Sequence, residues 1–411
     1  MAERTSVEQH AARVEALLAG VLSLGFEQIA LDGGLGRVTA GPILSPVDLP
    51  LFRNSQMDGF AVRAIDVSTV PATLPVVGQI PARASQPNPL QPGTAVKIMT
   101  GAPVPLGADA VVPVEDTGAE TGEPERASVT IVRSRVAGEY VRERGSDLRA
   151  GAQLLPGGLI LAPRHLAALA AAGLAGLEVR SRVRVAIVTT GTELVAPGTA
   201  PQPGQTFDSN AAALVALVTE AGAIVTFRAH VMDEAAQLVA TLHEARLVAD
   251  FTITSGGISM GDYEVVREVL EDRASSAPAG PIVDATVGTV AMQPGGPQAT
   301  AIFDGMPLIC FPGNPVSTQI SFAVFLVPLL RRAAGLHART TTERTLTVPV
   351  TSVAGRRQFL RGCAVGDTGV EPVAGPGSHL VAGMASADLI IDIPTATTDL
   401  EAGESVVTWA L

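Results

Sequence analysis

Lysine and cysteine are almost absent from this chain. Lys97 is the only lysine among 28 basic residues, so nearly every positive charge is an arginine. The 2 cysteines, Cys310 and Cys363, are far apart and form no CxxC pair, which argues against a thiolate metal site and against a disulfide framework. The 6 histidines are scattered without metal-ligand spacing, so a zinc site is not expected.

A basic surface and long apolar runs are missing as well. The formal net charge of −12 argues against a nucleic-acid-binding protein, which usually presents a basic face. No apolar stretch reaches the ~18 residues of a membrane-spanning helix, and the N-terminal segment carries charges throughout, unlike a secretory signal. We therefore expect a cytoplasmic protein that binds neither nucleic acid nor membrane.

Apolar residues are plentiful enough for several cores. They make up 47% of 411 residues, and at roughly 100–200 residues per domain this length predicts two to four domains. Residues 7–24 carry apolar side chains at helical spacing, which predicts an amphipathic helix. From about 40 to 145, short apolar runs alternate with proline and glycine, which is typical of a β-rich module.

Residues 183–335 follow a different pattern. Strand-like runs such as "RVAIVTTG" and "DFTITSGG" alternate with helix-like runs such as "SNAAALVALVTEAG", and "NPVSTQISFAVFLVPLLRRAAG" predicts one closing helix. This alternation predicts βαβ units and an α/β domain with a mainly parallel sheet. The remaining tail, about 340–411, predicts a small β domain.

Three of the predicted strands end in loops suited to a ligand. Open α/β sheets bind ligands at the carboxyl ends of their strands, glycine lets a phosphate approach the backbone, and helix N-termini favour anions. The loops are "TTGTEL", "TSGGISMGDYE" and "FPGNPVS", and two of them carry an acid, Glu193 or Asp262. Each motif alone is more often ordinary turn chemistry, but together they predict a phosphorylated ligand handled with a divalent cation.

The β-rich module adds single polar groups in glycine turns. "NSQMDGFAVR" carries Asp58 and "IMTGAPVP" carries Thr100, while "RERGSDLRAG" places Asp147 among arginines. Taken one at a time, these segments fit an Asx-turn, a β-turn hydroxyl and a salt-bridged surface turn at least as well as a functional site.

These six segments, in this order and over nearly the whole chain, resemble the molybdopterin molybdenumtransferases, the family of bacterial MoeA and the gephyrin E domain. The resemblance implies a homodimer of elongated, multidomain α/β plus β subunits, with a MogA-like molybdopterin-binding domain. The implied divisions are an N-terminal helix packing on the α/β domain (1–26), a linking domain (27–45 with 144–177), the β-rich module (46–143), the α/β domain (178–335) and a C-terminal β domain (336–411).

The resemblance also implies an activity and a site. Family enzymes insert molybdate into adenylylated molybdopterin in a Mg²⁺-dependent step that releases AMP, in a cleft between subunits. Transient contact with the molybdopterin adenylyltransferase and with acceptor molybdoenzymes is implied too. The implied catalytic residues are Asp58, Thr100, Asp147, Glu193, Asp233 and Asp262, of which Glu193 and Asp262 would bind the metal. The implied cofactor-binding residues are Thr190, Gly191, Ser255, Gly256, Gly257, Pro312, Gly313, Asn314, Pro315 and Ser317.

The sequence departs from the family in one charged segment. Relatives usually carry lysines in "KxxxKPGKP", whereas this chain reads "TVAMQPGGPQ", with Thr289, Gln293 and Gly296 at those positions. Arg267 and Arg361 would replace the lost charge at the cofactor, or are ordinary surface arginines. A second departure is Val381 and Ala382, at positions where relatives often have hydroxyls. An alternative function is therefore a non-catalytic paralogue that carries or delivers the cofactor, and a third is a structural scaffold.

Overall fold

The computed structural model describes residues 4–118, 127–259, 264–275 and 282–411. The chain divides into two compact units. Residues 28–179 form one of them, here called the inserted unit, and residues 1–27 with 180–411 form the other, the interrupted unit. Each unit has hydrophobic clusters of its own, so each is described by itself.

The helices and strands have the following bounds. The helices are α1 (Val7–Leu22), α2 (Pro163–Ala171), α3 (Ser209–Glu220), α4 (Ala235–Arg246), α5 (Val265–Ser275), α6 (Pro315–Ser321), α7 (Val327–Ala334) and α8 (Val381–Ala385). The first strands are β1 (Phe26–Ala30), β2 (Ile43–Leu44), β3 (Asn54–Ser55), β4 (Gly59–Val62), β5 (Ala72–Ile80), β6 (Ala95–Ile98), β7 (Ala110–Pro113), β8 (Ser128–Ile131), β9 (Val141–Arg142), β10 (Gln153–Leu155) and β11 (Gly176–Arg180). The later strands are β12 (Arg184–Thr190), β13 (Leu194–Val195), β14 (Thr206–Phe207), β15 (Ile224–Val231), β16 (Phe251–Ser255), β17 (Ile282–Thr289), β18 (Met292–Gln293), β19 (Pro297–Phe303), β20 (Met306–Phe311), β21 (Thr341–Leu346), β22 (Val350–Thr351), β23 (Arg357–Val365), β24 (Gly369–Pro372), β25 (Leu389–Ile393), β26 (Asp399–Leu400) and β27 (Ser405–Ala410).

The inserted unit is β-rich, as the proline- and glycine-broken pattern predicts. Its main sheet has the strand order β7-β4-β6-β5-β8, antiparallel except for the parallel pair β5–β6. Phe60, Val112 and Ile131 fill the core on one side of this sheet. A smaller cluster around Leu169 of α2 buries the two-stranded ribbon β2–β10.

The interrupted unit contains a six-stranded sheet with the order β15-β12-β16-β20-β19-β17. The pairs among β15, β12, β16 and β20 are parallel, and β19 and β17 add an antiparallel edge. Continuous burial from Val185 to Val188 and from Phe251 to Ser255 reflects a sheet covered on both faces. The predicted α/β fold with a mainly parallel sheet is therefore confirmed, and β17 and β19 are additions that the sequence pattern did not predict.

Helices cover both faces of this sheet. One face packs against α1, α3, α6 and α7, and the other packs against α4 and α5. The predicted closing helix is present as the continuous run of α6, a π-helical turn (Phe322–Leu326) and α7, with Pro328 in the first turn of α7. Proline lacks the N–H that a helix interior needs, so it is tolerated only where a helix starts afresh.

The C-terminal strands close into a small barrel in the order β23-β24-β21-β27-β25, since β25 pairs back onto β23. Its interior holds Leu360, Ile391 and Val406. This confirms the predicted C-terminal β domain. Within the described residues, no helix is both long enough and apolar enough to cross a membrane.

Candidate functional site

The three predicted ligand loops meet at one edge of the central sheet. Thr189 of β12 lies opposite Ser255 of β16, which lies opposite Phe311 of β20. Because these strands are parallel and in register, the loops that follow them leave from the same edge. The backbone N–H of Gly256 donates to the Phe311 carbonyl at 3.1 Å and ties two of the loops together.

A cavity of about 690 Å³ opens at this edge, and we call it the strand-end cavity. Ten of the predicted site residues line it: Thr190, Gly191, Glu193, Asp233, Ser255, Gly256, Gly257, Gly313, Asn314 and Pro315. Its volume lies within the ~300–1,000 Å³ usual for small-molecule sites. Asp262, predicted as a catalytic and metal-binding residue, lies outside the described residues.

Glycine is required in the loop after β16 for reasons of space and backbone conformation. Gly256 has φ +102°, and a Cβ there would lie 2.5 Å from the Thr190 carbonyl oxygen. A Cβ on Gly313 would lie 3.3 Å from the Gly256 Cα, so the loop after β20 is packed almost as closely. The loops after β12, β16 and β20 therefore pack backbone against backbone at this edge of the cavity.

Asn210, at the start of α3, connects these loops by hydrogen bonds. Its Nδ2 donates to Ser255 Oγ at 2.9 Å and to the Gly313 carbonyl at 2.7 Å. Ser255 Oγ also lies 3.1 Å from Thr318 Oγ1, which donates to the Pro312 carbonyl at 2.7 Å. A buried network of this kind fixes the relative position of the two glycine loops.

The acids of the cavity differ in the number of hydrogen bonds that each carboxylate already accepts from the protein. Asp208 caps α3 by accepting from the Ala211 N–H at 2.9 Å and accepts from Thr189 Oγ1 at 2.7 Å. Asp233 accepts from the N–H and the hydroxyl of Thr192. The carboxylate of Glu193, by contrast, accepts no hydrogen bond from the residues that the structure describes.

This donor set suits Mg²⁺, a hard cation that prefers carboxylate oxygens and near-octahedral coordination. In the described ranges, no group of three or more His, Cys, Asp or Glu side chains could hold a metal ion. Mg²⁺ is usually held by one or two carboxylates together with substrate phosphates, so it does not need such a group. Glu193 therefore fits the metal-binding role that the sequence predicts.

Four other predicted residues do not line the cavity: Pro312, Ser317, Arg267 and Arg361. Arg267 pairs with Glu271 and donates to the Ser259 carbonyl, so it braces the cavity wall from α5. Arg361 is only 2% exposed, and its guanidinium donates to the Gly375 and Gly377 carbonyls. Arg361 thus supports the loop before His379, and its contact with the cofactor stays a prediction.

The segment in which the family lysines are missing lies elsewhere. Thr289, Gln293 and Gly296 are not among the residues that line the strand-end cavity. Gln293 accepts from the side chain of Gln358 on β23 at 3.0 Å. Gln293 therefore makes an uncharged amide contact with the barrel.

The predicted residues of the β-rich module belong to the inserted unit. Asp58 Oδ1 accepts from the Thr100 N–H at 2.7 Å and from its hydroxyl at 2.9 Å. These hydrogen bonds, the backbone one first, hold the pKa of the Asp58 carboxyl below its usual value. Asp147 is exposed, and its backbone N–H donates to the Leu49 carbonyl. The catalytic roles of these three residues stay predictions.

Several residues of the cavity were not predicted from the sequence: Asp208, Asn210, Glu264 and His379. Val381, another lining residue, was named only as a departure from the family. "DSN" immediately before an apolar helical run is a helix N-cap signal, so Asp208 and Asn210 were within reach of sequence reasoning. His379 and Val381 come from the C-terminal region, where no local pattern indicates a place beside the sheet.

Comparison with known families accounts for nearly the whole chain. The MoeA N-terminal region (domain I and II) matches residues 5–173, a probable molybdopterin binding domain matches 186–332, and the MoeA C-terminal region (domain IV) matches 343–411. The three matches follow one another without overlap.

Individual relatives agree with these matches. Molybdopterin molybdenumtransferase 2 of Mycobacterium tuberculosis (strain H37Rv) is 42% identical over 390 residues, which cover 93% of this chain and 94% of that protein. A molybdopterin molybdenumtransferase of Nostoc sp. is 39% identical over 75% of this chain and 70% of its own length. Among solved structures, a molybdopterin biosynthesis MoeA protein from Pyrococcus horikosii has a TM-score of 0.74 at 31% identity, covering 99% of each chain.

Proposed function

This chain belongs to the MoeA family, and from that premise we propose that it is a molybdopterin molybdenumtransferase. It inserts molybdate into adenylylated molybdopterin and releases AMP. The observation that carries the proposal is the strand-end cavity, in which three glycine-containing loops and the acids Glu193 and Asp233 face one volume large enough for a pterin.

The cavity offers two kinds of contact to such a ligand. The Gly256 N–H already donates to the Phe311 carbonyl, so the N–H groups of Gly257 and Gly313 would be the ones that favour the phosphate. Thr190 Oγ1 is buried and has no hydrogen-bond partner in the described part of the chain, so a ligand donor or acceptor would satisfy it.

Breaking the phosphoanhydride requires positioning and charge neutralisation and no covalent intermediate on the protein. When a water attacks the adenylate phosphorus, the phosphoanhydride bond breaks, the molybdopterin phosphate is the leaving group and the adenylyl group departs as AMP. When a molybdate oxygen attacks, the molybdopterin phosphate leaves in the same way, and a water then releases AMP from the adenylylated molybdate. Mg²⁺, when bound, neutralises charge at the phosphates. Glu193 and Asp262 would hold this ion, while Asp233, already oriented by Thr192, would orient groups of the pterin.

We extend the proposal to a homodimer, in which Asp58, Thr100 and Asp147 of a second subunit complete the site. The support for it is the Asp58–Thr100 pair, an ionised carboxylate held by two hydrogen bonds at the surface of the inserted unit. The finer divisions of the chain, with boundaries at 26, 45, 143, 177 and 335, are proposed on the same family grounds.

A single-turnover assay tests the activity. The purified protein receives adenylylated molybdopterin, Mg²⁺ and molybdate, and AMP release is followed with time. We expect molybdate-dependent release that Glu193→Gln slows at limiting Mg²⁺, whereas Glu178→Gln, which removes an exposed acid of the inserted unit, leaves the rate unchanged. Binding of molybdopterin without AMP release would contradict the transferase and favour the non-catalytic cofactor-binding paralogue.

A further inference from the structure

The interrupted unit contains a second cavity, of about 700 Å³, which we call the barrel cavity. It shares no lining residue with the strand-end cavity. Its walls come from α1, from the π-helical turn with α7, from the segment that leads into β21, and from β23, β25 and β27 of the barrel. Apolar side chains dominate these walls, including Val324, Val327, Leu336, Phe359 and Trp409.

Three arginines and three acids surround the barrel cavity, but they are not paired one to one, because Arg357 takes two of the acids. Arg357 pairs with Glu8 at 2.9 Å and with Asp392 at 2.6 Å. Arg332 pairs with Glu15 at 2.6 Å. Arg339 is the remaining cation of the wall, and it forms no ion pair with any residue that the structure describes.

Arg339 lies against the aromatic wall, and part of its hydrogen-bonding capacity is unused. Its guanidinium carbon is 5.0 Å from the centre of the Trp409 ring. Its Nη1 is buried and has no hydrogen-bond partner in the described ranges. Burial lowers the pKa of this guanidinium, and the charge of Glu220 opposes that effect without forming an ion pair. A buried donor on a charged group that meets no acceptor is costly, so an anion placed beside it is stabilised.

We propose that the barrel cavity binds a small monoanionic amphiphile, an alkyl or aryl carboxylate. The carboxylate pairs with Arg339, because a guanidinium matches a carboxylate in planar geometry and presents several donors. The apolar body packs on Trp409 and Phe359, whose rings lie 6.2 Å apart in an edge arrangement.

Arg339, the single unpaired arginine among the described lining residues, selects this class of ligand over others, and the volume and the π-helical turn agree with a binding site. A neutral apolar molecule would leave Arg339 Nη1 without an acceptor, and a dianion would bring a second charge that no free cation among the described lining residues meets. The volume is in the range of small-molecule sites. The π-helical turn supplies Ala323 and Val324 to the wall, and such turns occur frequently at functional sites.

Trp409 is the only tryptophan of the chain, so its fluorescence reports directly on this cavity. The full-length protein is titrated with decanoate, with decanol and with decyl phosphate, all below their micelle-forming concentrations. We expect a saturable change with decanoate and at least tenfold weaker binding of decanol. Three results would each overturn the proposal with the unaltered protein alone. They are no saturable change with decanoate, equal affinity for decanol and decanoate, or tighter binding of decyl phosphate than of decanoate.

A variant then tests the residue itself. Arg339→Met keeps a long apolar stem over Trp409 and removes the charge, so calorimetry should show that the preference for decanoate over decanol is lost. Arg164→Met removes one exposed positive charge from α2 in the inserted unit and should leave that preference unchanged. Retention of the preference in Arg339→Met would also overturn the assignment. Failure of the transferase assay would leave this result untouched, because the cavities share no lining residue.

Discussion

The strand-end cavity and the barrel cavity have nearly the same volume, about 690 and 700 Å³, but opposite construction. The first is walled largely by the backbone of loops that follow three neighbouring strands, and it depends on side chains being absent, as at Gly256. The second is walled by large side chains from segments far apart in the chain, such as Val7, Val327 and Trp409. An added methyl group at Gly256 should therefore damage the first cavity, whereas in the second the loss of the Arg339 charge should have the larger effect.

The largest effect that we expect is from Gly256→Ala. The new Cβ would meet the Thr190 carbonyl at 2.5 Å while the backbone stays at φ +102°, so the loops after β12 and β16 must separate. A displacement of about 1 Å at a reacting group costs about 100-fold in rate, and we expect AMP release to fall by that amount. The rate of single-turnover AMP release measures it.

Gly305→Ala is the matched control for Gly256→Ala. Gly305 has φ +83°, so alanine there is strained in the same way, but the new Cβ meets nothing within 4 Å. We expect some loss of stability and an unchanged rate of AMP release. Equal loss of activity in both alanine variants would contradict the idea that the strand-end cavity depends on close packing of the loops.

Asn210→Ala should weaken the same cavity less severely. The change removes the donor that holds Ser255 Oγ and the Gly313 carbonyl, so the ligand itself must order the two loops. An ordinary hydrogen bond contributes about 1 kcal/mol, and we expect molybdopterin to bind five- to tenfold more weakly by calorimetry, roughly the same free energy. Asn88→Ala, in an exposed loop of the inserted unit, should not change the affinity.

His10→Phe tests whether the packing of side chains around α1 excludes a charged imidazole. Burial, with the Arg13 charge adding to it, lowers the pKa of His10 to about 4 from 6.5. Because the folded pKa is the lower one, the unfolded chain gains the proton first, and stability is lost as the pH falls from 6.5 towards 4. Between pH 7 and pH 5 this loss is about 2 kcal/mol, and phenylalanine should abolish it.

Urea unfolding followed by Trp409 fluorescence measures this difference, since the only tryptophan lies in the same unit as α1. His337→Gln, at an exposed position, is the control and should keep the pH dependence of the original protein. An unchanged pH dependence in His10→Phe would show that packing around α1 does not exclude the charged imidazole.

The smallest effect that we expect is in the inserted unit, where the Asp58 carboxylate accepts one hydrogen bond from the backbone and one from the side chain of Thr100. Thr100→Val removes the hydroxyl donor to Asp58 but keeps the Thr100 N–H, which is the larger cause of the lowered pKa. The pKa of Asp58 should therefore rise only part of the way to its usual value, as NMR titration of the carboxyl would show. Thr69→Val, at an exposed position, should leave it unchanged. A complete return of the pKa to its usual value would mean that the backbone donor contributes little.

Local sequence patterns were sufficient for the central strands and their loops. β12 and β16 are short runs of β-branched and apolar residues followed by glycine. The strand conformation, the length of each strand and the position of its end therefore follow from the local sequence. The loops after these strands could be predicted to meet because parallel strands in βαβ units end at one edge. That reasoning places Thr190, Ser255 and Gly256 correctly on one cavity, although their binding roles stay predictions.

Features that depend on distant segments were not predictable in this way. β17 alternates exposed and half-buried residues along the edge of the sheet, and "IVDATVGT" has neither a continuous apolar run nor a turn signal to mark it. His379 reaches the strand-end cavity only through the packing of the C-terminal region on the α/β domain. The burial of Arg361 follows from the carbonyls of Gly375 and Gly377 around it, which no helical or strand period reveals.

The division of the chain has a consequence for its biosynthesis. Val14 and Leu18 of α1 pack in one core with α7 and β20, which are translated about 300 residues after α1. At roughly 5–20 residues per second, the apolar face of α1 waits some 15–60 s for its partners. The inserted unit, being continuous, can complete its own cores during that interval. The apolar face of α1 therefore stays without its native partners until the inserted unit has been made.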